Sequence, residues 1–138
     1  MDATGDGYMA CTGLLHETPD HAEQLVAFAR DMVHAAAGVA NPLGGRVCIR
    51  VGVHSGAVTS GIVGSIRARY CLFGDTVNTA SRMESTGQPG CVQISEDTAR
   101  LLGPGAAARF RPRGEVEVKG KGLMRTFLEE VAPEVALD

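Results

Sequence analysis

The stretch Arg69-Tyr70-Cys71-Leu72-Phe73-Gly74-Asp75-Thr76-Val77-Asn78-Thr79-Ala80-Ser81-Arg82-Met83-Glu84 constrains the fold more than any other part of the chain. An apolar run too short for a helix stops at a glycine, and a polar segment of helical character starts directly after it. This predicts a strand from Tyr70 to Phe73 and a helix from Asp75 to Thr86-Gly87, with Gly87 placed to close the helix in the left-handed conformation. Asn78 and Arg82 stand four residues apart, so their side chains leave one face of that helix and can converge on one anionic group. Asparagine inside a helix competes with backbone hydrogen bonds, a local cost that a function can offset. The pair suits phosphoryl chemistry, and a solvated polar face is the other reading of the same residues.

The remaining pattern alternates between the two periodicities. A strand is expected from Ala10 to Leu14 after the Gly5-Asp6-Gly7 turn, and Thr18-Pro19-Asp20 marks a helix start. From Glu23 to Ala37 the residues Leu25, Val26, Phe28, Ala29, Met32, Val33 and Ala36 recur at helical spacing, which predicts a long amphipathic helix. Val47, Ile49, Val51 and Val53 alternate with polar or small residues up to His54, a strand whose Arg50 and Gly52 fall on a polar face or line a cleft. Glycines at 56, 61 and 64 predict a backbone that turns or approaches something closely. Cys91 to Ile94 reads as a strand, Ser95 as the N-cap of a helix from Glu96 to Leu102, and Gly103-Pro104-Gly105 as its end. Phe110 to Arg113, Val116 to Val118 and Thr126 to Val131 read as strands, with the Gly120-Lys121-Gly122 turn between the last two. Strands and helices mix without a strict repeat, so an α+β sandwich is expected, helices packed on one sheet.

Composition narrows the function. A chain of 138 residues is long enough for one domain and too short for two. It has no apolar run near the roughly 20 residues of a membrane span, and it opens on polar residues rather than a signal sequence, so a cytoplasmic setting is expected. Cysteines at 11, 48, 71 and 91 lack metal-site spacing and read as reduced thiols. A net charge of −3 argues against nucleic-acid or membrane-surface binding. The cations nevertheless gather in the later two thirds, at Arg46, Arg50, Arg67, Arg69, Arg82, Arg109, Arg111, Arg113, Lys119, Lys121 and Arg125, which suits a small polyanion.

Three further residues carry possible chemistry. Asp6, flanked by glycines, offers a carboxylate in a tight turn, where it could ligate magnesium or simply bond its own backbone. Arg50 sits mid-strand, suited to an anion or to a cross-strand ion pair. Lys119 places an ammonium in a glycine-rich hairpin turn, where it can approach phosphate or blunt a sheet edge.

Taken in order, Thr4-Gly5-Asp6-Gly7-Tyr8-Met9, Ile49-Arg50-Val51-Gly52-Val53-His54-Ser55-Gly56, Arg69 through Glu84, and Val118-Lys119-Gly120-Lys121-Gly122 resemble the class III nucleotide cyclase catalytic domain of guanylyl and adenylyl cyclases. The resemblance runs from Asp2 to about Val131. It implies a ferredoxin-like cyclase sandwich, an antiparallel-rich mixed sheet with helices packed on it, lacking the first strand and helices. Residues 1–132 would form a partial catalytic domain and 133–138 a C-terminal tail. The implied activity is that of a phosphorus–oxygen lyase in which the ribose 3′-oxygen of a nucleoside triphosphate attacks the α-phosphate in line and expels pyrophosphate.

By the same resemblance, two Mg2+ or Mn2+ ions per site are held by two aspartates. Asp6 matches the second, and the first is expected upstream of this chain, which reads as truncated. Arg50 matches a triphosphate contact, Asn78 the residue that orients the ribose, Arg82 the arginine that stabilises charge developing on the α-phosphate, and Lys119 the lysine on the terminal phosphates. The resemblance also implies a dimer, homomeric or with another cyclase domain, in which the metal aspartates and Arg50 come from one subunit and Asn78, Arg82, Lys119 and base recognition from the other. A monomer would then be inactive. Guanylyl cyclases pair a glutamate with a cysteine at the base-reading positions, adenylyl cyclases a lysine with an aspartate; here the positions hold Asp2 and Cys71, which implies GTP and cyclic GMP. An adenylyl cyclase and a non-catalytic cyclase-like dimerisation module are the alternatives. The implied partners are GTP and a second cyclase domain, with no nucleic acid and no direct membrane contact, in the cytoplasm or as the cytosolic domain of a larger membrane protein.

Overall fold

The computed structural model describes residues 2–4, 7–12, 19–57, 59–63 and 69–131. Asp2–Thr4 (β1) and Gly7–Met9 (β2) pair antiparallel, with Asp2 opposite Met9. The strand expected from position 10 therefore lies earlier in the chain, since its position follows the pairing register with β1 and not the apolar run; Gly13 and Leu14 lie outside the described residues.

His21–Ala37 forms the long helix α1, as its apolar spacing predicts. Val51–Val53 (β3) is shorter than the strand expected from Val47. The alternation of exposure does run back to Val47, with Cys48 and Arg50 exposed between half-buried Val47, Ile49 and Val51. The pairing changes there: β3 runs parallel to Cys91–Ser95 in the register Val51 to Val92, whereas earlier the Val47 N–H turns to the Val39 carbonyl at 3.1 Å and the Ile49 carbonyl takes the Gly90 N–H at 2.9 Å.

Thr59–Val63 (β4) and Arg69–Phe73 (β5) form an antiparallel ladder with Gly61 opposite Cys71, so the glycine-spaced segment is partly strand. Gly74, at φ 112°, breaks the chain out of β5 and into helix Asp75–Ser85 (α2). At the far end Gly87 is not left-handed. The helix is closed instead by the Thr86 hydroxyl, which donates to the Arg82 carbonyl at 2.7 Å, and Gly87 sits where room is tight, since a Cβ there would stand 3.1 Å from the Met83 carbonyl oxygen.

Cys91–Ser95 (β6) leads into Glu96–Leu101 (α3), where Ser95 accepts the Thr98 N–H as the expected N-cap. Gly103-Pro104-Gly105 does not merely stop that helix: Pro104 starts a further turn, Pro104–Ala107 (α4), as a proline fixed near helical φ can at a first position. Arg111–Val118 (β7) is one continuous strand bulged between Pro112 and Gly114, and it pairs with Gly122–Glu130 (β8), which begins earlier than expected.

The main sheet has the order β3-β6-β8-β7, parallel between β3 and β6 and antiparallel elsewhere. The fold is thus the expected α+β arrangement with an antiparallel-rich mixed sheet. Central β6 is buried at all five residues, covered on both faces. On one face Val92, Ile94 and Val53 pack with Ala22, Val26, Ala29 and Val33 of α1, the main hydrophobic core. On the other face lies α2. There the buried Gln93 amide donates to the Met83 carbonyl at 2.9 Å and to Thr86 Oγ1 at 2.8 Å, so its desolvation is offset by hydrogen bonds.

Candidate active site

Helix α2 is seated on the sheet through buried Thr79 and Met83. Its approach to β3 is close enough to require glycine: a Cβ on Gly52 would lie 2.2 Å from the Glu84 nitrogen and 2.4 Å from the Met83 carbonyl carbon. The face carrying Arg50 and Gly52, expected to be polar or to line a cleft, is therefore the face that α2 covers at Gly52. Arg50 itself reaches around the edge, and its Nε donates to Glu84 Oε2 at 2.9 Å, both side chains 45% exposed.

Asn78 and Arg82 are exposed on α2, one turn apart as the spacing requires. Arg82 Nε donates to the Glu117 carbonyl at 3.0 Å, which ties the arginine to the end of β7. Lys119 follows two residues later, exposed, in a turn where Gly120 and Gly122 take φ of 83° and 79° and the Lys121 N–H donates to the Val118 carbonyl at 2.9 Å. The fold thus brings the arginine of α2 to the hairpin that carries the lysine. Arg50 is held elsewhere. Residues 82 and 84 lie about 200° apart around the helix, so Arg82 and the Glu84-bound Arg50 occupy opposite flanks of α2.

The two residues expected to read the base are carried on separate ladders, Asp2 on β1 and Cys71 on β5, the latter three residues before the Gly74 break that starts α2. Asp6 lies outside the described residues. Among the described residues no group of three His, Cys, Asp or Glu side chains could hold a metal ion. Asp6 offers a hard carboxylate oxygen, the donor type that magnesium and manganese take.

Several supporting residues fall inside the quoted motifs without the sequence assigning them a role. Thr76, in the first turn of α2, donates through Oγ1 to the Ala57 carbonyl at 2.5 Å. His54, 8% exposed, stands with Nδ1 2.6 Å from Ser95 Oγ, and burial holds its pKa below the ordinary imidazole value, Asp97 opposing and Lys121 adding to that effect. Ser55 Oγ lies 2.9 Å from Thr98 Oγ1. The alternation that found β3 could have flagged His54 and Ser55 only as the end of a strand. Among the thiols, burial pushes Cys91 up, while Cys11 and Cys48 are exposed and free.

A family model described as the adenylate and guanylate cyclase catalytic domain matches residues 1–130. Guanylate cyclase soluble subunit beta-2 of Rattus norvegicus is 47% identical over 128 residues, which cover 92% of this chain and 19% of that protein. An adenylate cyclase of Mycobacterium tuberculosis is 44% identical over 127 residues, 92% of this chain and 28% of that protein. The crystal structure of the guanylate cyclase domain of RhGC from Catenaria anguillulae in complex with GTP superposes with a TM-score of 0.74 at 41% identity, covering 85% of this chain and 63% of that one. The chain therefore spans less than a third of either curated relative. Among the described residues no helix is long and apolar enough to cross a membrane.

Proposed function

The chain belongs to the adenylate and guanylate cyclase catalytic-domain family, and on that premise we propose that it converts GTP to cyclic GMP and pyrophosphate, each site being shared between two subunits. One observation carries this reading: Asn78 and Arg82 leave the same flank of α2, and Arg82 is hydrogen-bonded to the strand that delivers Lys119. In this reading an amide, a guanidinium and an ammonium converge on one anion.

In this reading Arg82 is the catalytic residue. With Nε fixed on the Glu117 carbonyl, its remaining donors are pre-oriented for the charge that builds on the α-phosphate as the 3′-oxygen bonds to phosphorus and pyrophosphate departs. A donor already in place costs no reorganisation in the transition state, so it lowers the barrier more than it tightens substrate. Asn78 holds the ribose so that the 3′-oxygen lies in line, and Lys119 binds the terminal phosphates. Arg50, on the opposite flank of α2, serves the triphosphate of the other site, exchanging its Glu84 partner for phosphate. Asp6 would hold a divalent ion, Mg2+ or Mn2+, which supplies the acidity that ionises the 3′-hydroxyl. Cys71 and Asp2 read the base, Asp2 accepting from the guanine N1–H and exocyclic amine, donors that adenine does not present together.

The 41% identity to a GTP-bound guanylate cyclase domain supports guanine, and the 44% identity to a mycobacterial adenylate cyclase keeps adenine as the competing substrate. The test is to supply Mn2+ with GTP or ATP to the chain extended upstream through the strand expected to carry the other aspartate. Cyclic GMP abolished by Arg82→Ala is the expected result. Cyclic AMP alone would transfer the reading to an adenylyl cyclase, and no cyclic product from a folded dimer would leave a dimerisation module.

A further inference from the structure

We propose that His54 is a positioning residue for the α2 half of the site, acting through a buried chain of hydroxyl groups that fixes the segment 54–57 against the first turn of that helix. The segment follows β3 and is anchored at both ends. On one side His54 Nδ1 lies 2.6 Å from Ser95 Oγ, and Ser55 Oγ lies 2.9 Å from Thr98 Oγ1. Ser95 and Thr98 are the two residues of the α3 capping turn, joined to each other by Thr98 N–H to Ser95 Oγ at 3.4 Å. Consecutive residues of the segment therefore grip one rigid turn. On the other side Ala57 accepts the Thr76 hydroxyl at 2.5 Å, and a Cβ on Gly56 would meet Thr76 Oγ1 at 2.6 Å. The segment is pressed against Thr76 with no slack, two residues before Asn78.

Displacing 54–57 must then displace the start of α2, while its other end stays pinned by Gly52, Gln93 and the Thr86 cap. A helix moved at one end only is tilted, and Asn78 moves more than Arg82. His54 is suited to hold this set because a neutral imidazole offers one ring nitrogen as acceptor: Ser95 can donate to Nδ1 while accepting the Thr98 N–H. Protonation makes Nδ1 a donor and forces the Ser95 hydrogen toward Thr98 Oγ1, 3.5 Å away, reversing the chain. The charged groups that act on His54 are Asp97 of α3 and Lys121 of the β7–β8 turn, and the adjacent Glu96 is engaged by Arg100 and Arg125. Burial, which opposes the imidazolium, keeps the neutral arrangement at neutral pH.

The consequence for turnover rests on the cyclase reading; the geometric claim does not. The test compares His54→Ala, His54→Asn and Thr76→Val with the unsubstituted chain, by amide hydrogen exchange along α2 and by initial rates with GTP and Mn2+ in the upstream-extended dimer. His54→Ala and Thr76→Val should both raise exchange in the first turn of α2 by tenfold or more, with exchange in β6 and β8 unchanged. They should lower kcat by about tenfold to hundredfold, with KM for GTP moved less than about threefold. His54→Asn, which keeps an amide where Nδ1 stood, should restore protection and rate and flatten the acid limb of the rate profile. Unchanged exchange in α2 in either His54→Ala or Thr76→Val, each melting cooperatively, overturns the proposal. So does failure of His54→Asn to rescue. Absence of product from the unsubstituted dimer refutes the cyclase reading alone, and the exchange comparison then decides the positioning role by itself.

Discussion

At the scale of single residues, the charges that matter are those held in place before a ligand arrives. Arg82 is fixed by one hydrogen bond to a backbone carbonyl, so its alanine variant should lose mainly transition-state stabilisation: kcat for GTP lower by about 10²–10³, with KM changed much less, read from initial rates. The His54 imidazole behaves in the opposite sense. Its folded pKa lies below the ordinary value of about 6.5, so the unfolded chain binds more protons: the contribution is fully present above about 6.5 and is lost as pH drops from there toward the folded value. Thermal melts at pH 7.5 and 5.5 should show a loss on acidification that shrinks in His54→Asn; an equal loss in both would remove His54 as its source. Asn78 and Arg82 were legible in the sequence because their relation is local, four residues on one helix. The surroundings of Arg50 were not legible. Alternation correctly separates Arg50 and Gly52 from Val51 and Val53, but what covers that face is a helix more than twenty residues away, and nothing in the strand's own pattern reports it.

At the scale of elements, the same distinction between local and distant causes explains which boundaries were readable. Helices α1 and α2 and the Ser95 cap depend on their own residues and lie where spacing and capping chemistry place them. Strands take their ends from partners: β3 is cut to three residues by where β6 begins, and β2 is positioned by its register with β1. Glycine is the residue whose meaning changes most. Gly87 looked like a left-handed helix end and instead provides room, whereas Gly52, unremarkable in an alternating strand, permits the contact between β3 and α2. Gly52→Ala should therefore destabilise by about 1–3 kcal/mol or force α2 outward, measured by denaturant unfolding. Gly105→Ala, where an added Cβ meets nothing within 4 Å, should change stability far less.

At the scale of the whole molecule, the two arginines to which the proposed function assigns a phosphate role stand on opposite flanks of α2. Arg50 pairs with Glu84 on one flank, and Arg82, bonded to the Glu117 carbonyl at the end of β7, stands on the other. In the proposed reading each triphosphate takes its Arg50 from one subunit and its Arg82 from the other, as a two-fold dimer allows when the Arg50 flank of each subunit meets the Arg82 flank of its partner. This arrangement has an arithmetic consequence. In a homodimer of Arg50→Ala both sites lack the triphosphate arginine, and in a homodimer of Arg82→Ala both lack the catalytic one, so each preparation should be nearly inactive. When the two upstream-extended variants are mixed in equal amounts and allowed to exchange subunits, about half of the dimers are mixed. Each mixed dimer has one site with both arginines and one with neither, so cyclic GMP formation should return to about a quarter of the unsubstituted rate, rising and falling with the fraction of mixed dimer. If the two arginines served the same site from the same chain, no mixture could restore activity, because every site would keep one defect. Recovery on mixing, measured beside the oligomeric state, therefore separates a shared site from a self-contained one.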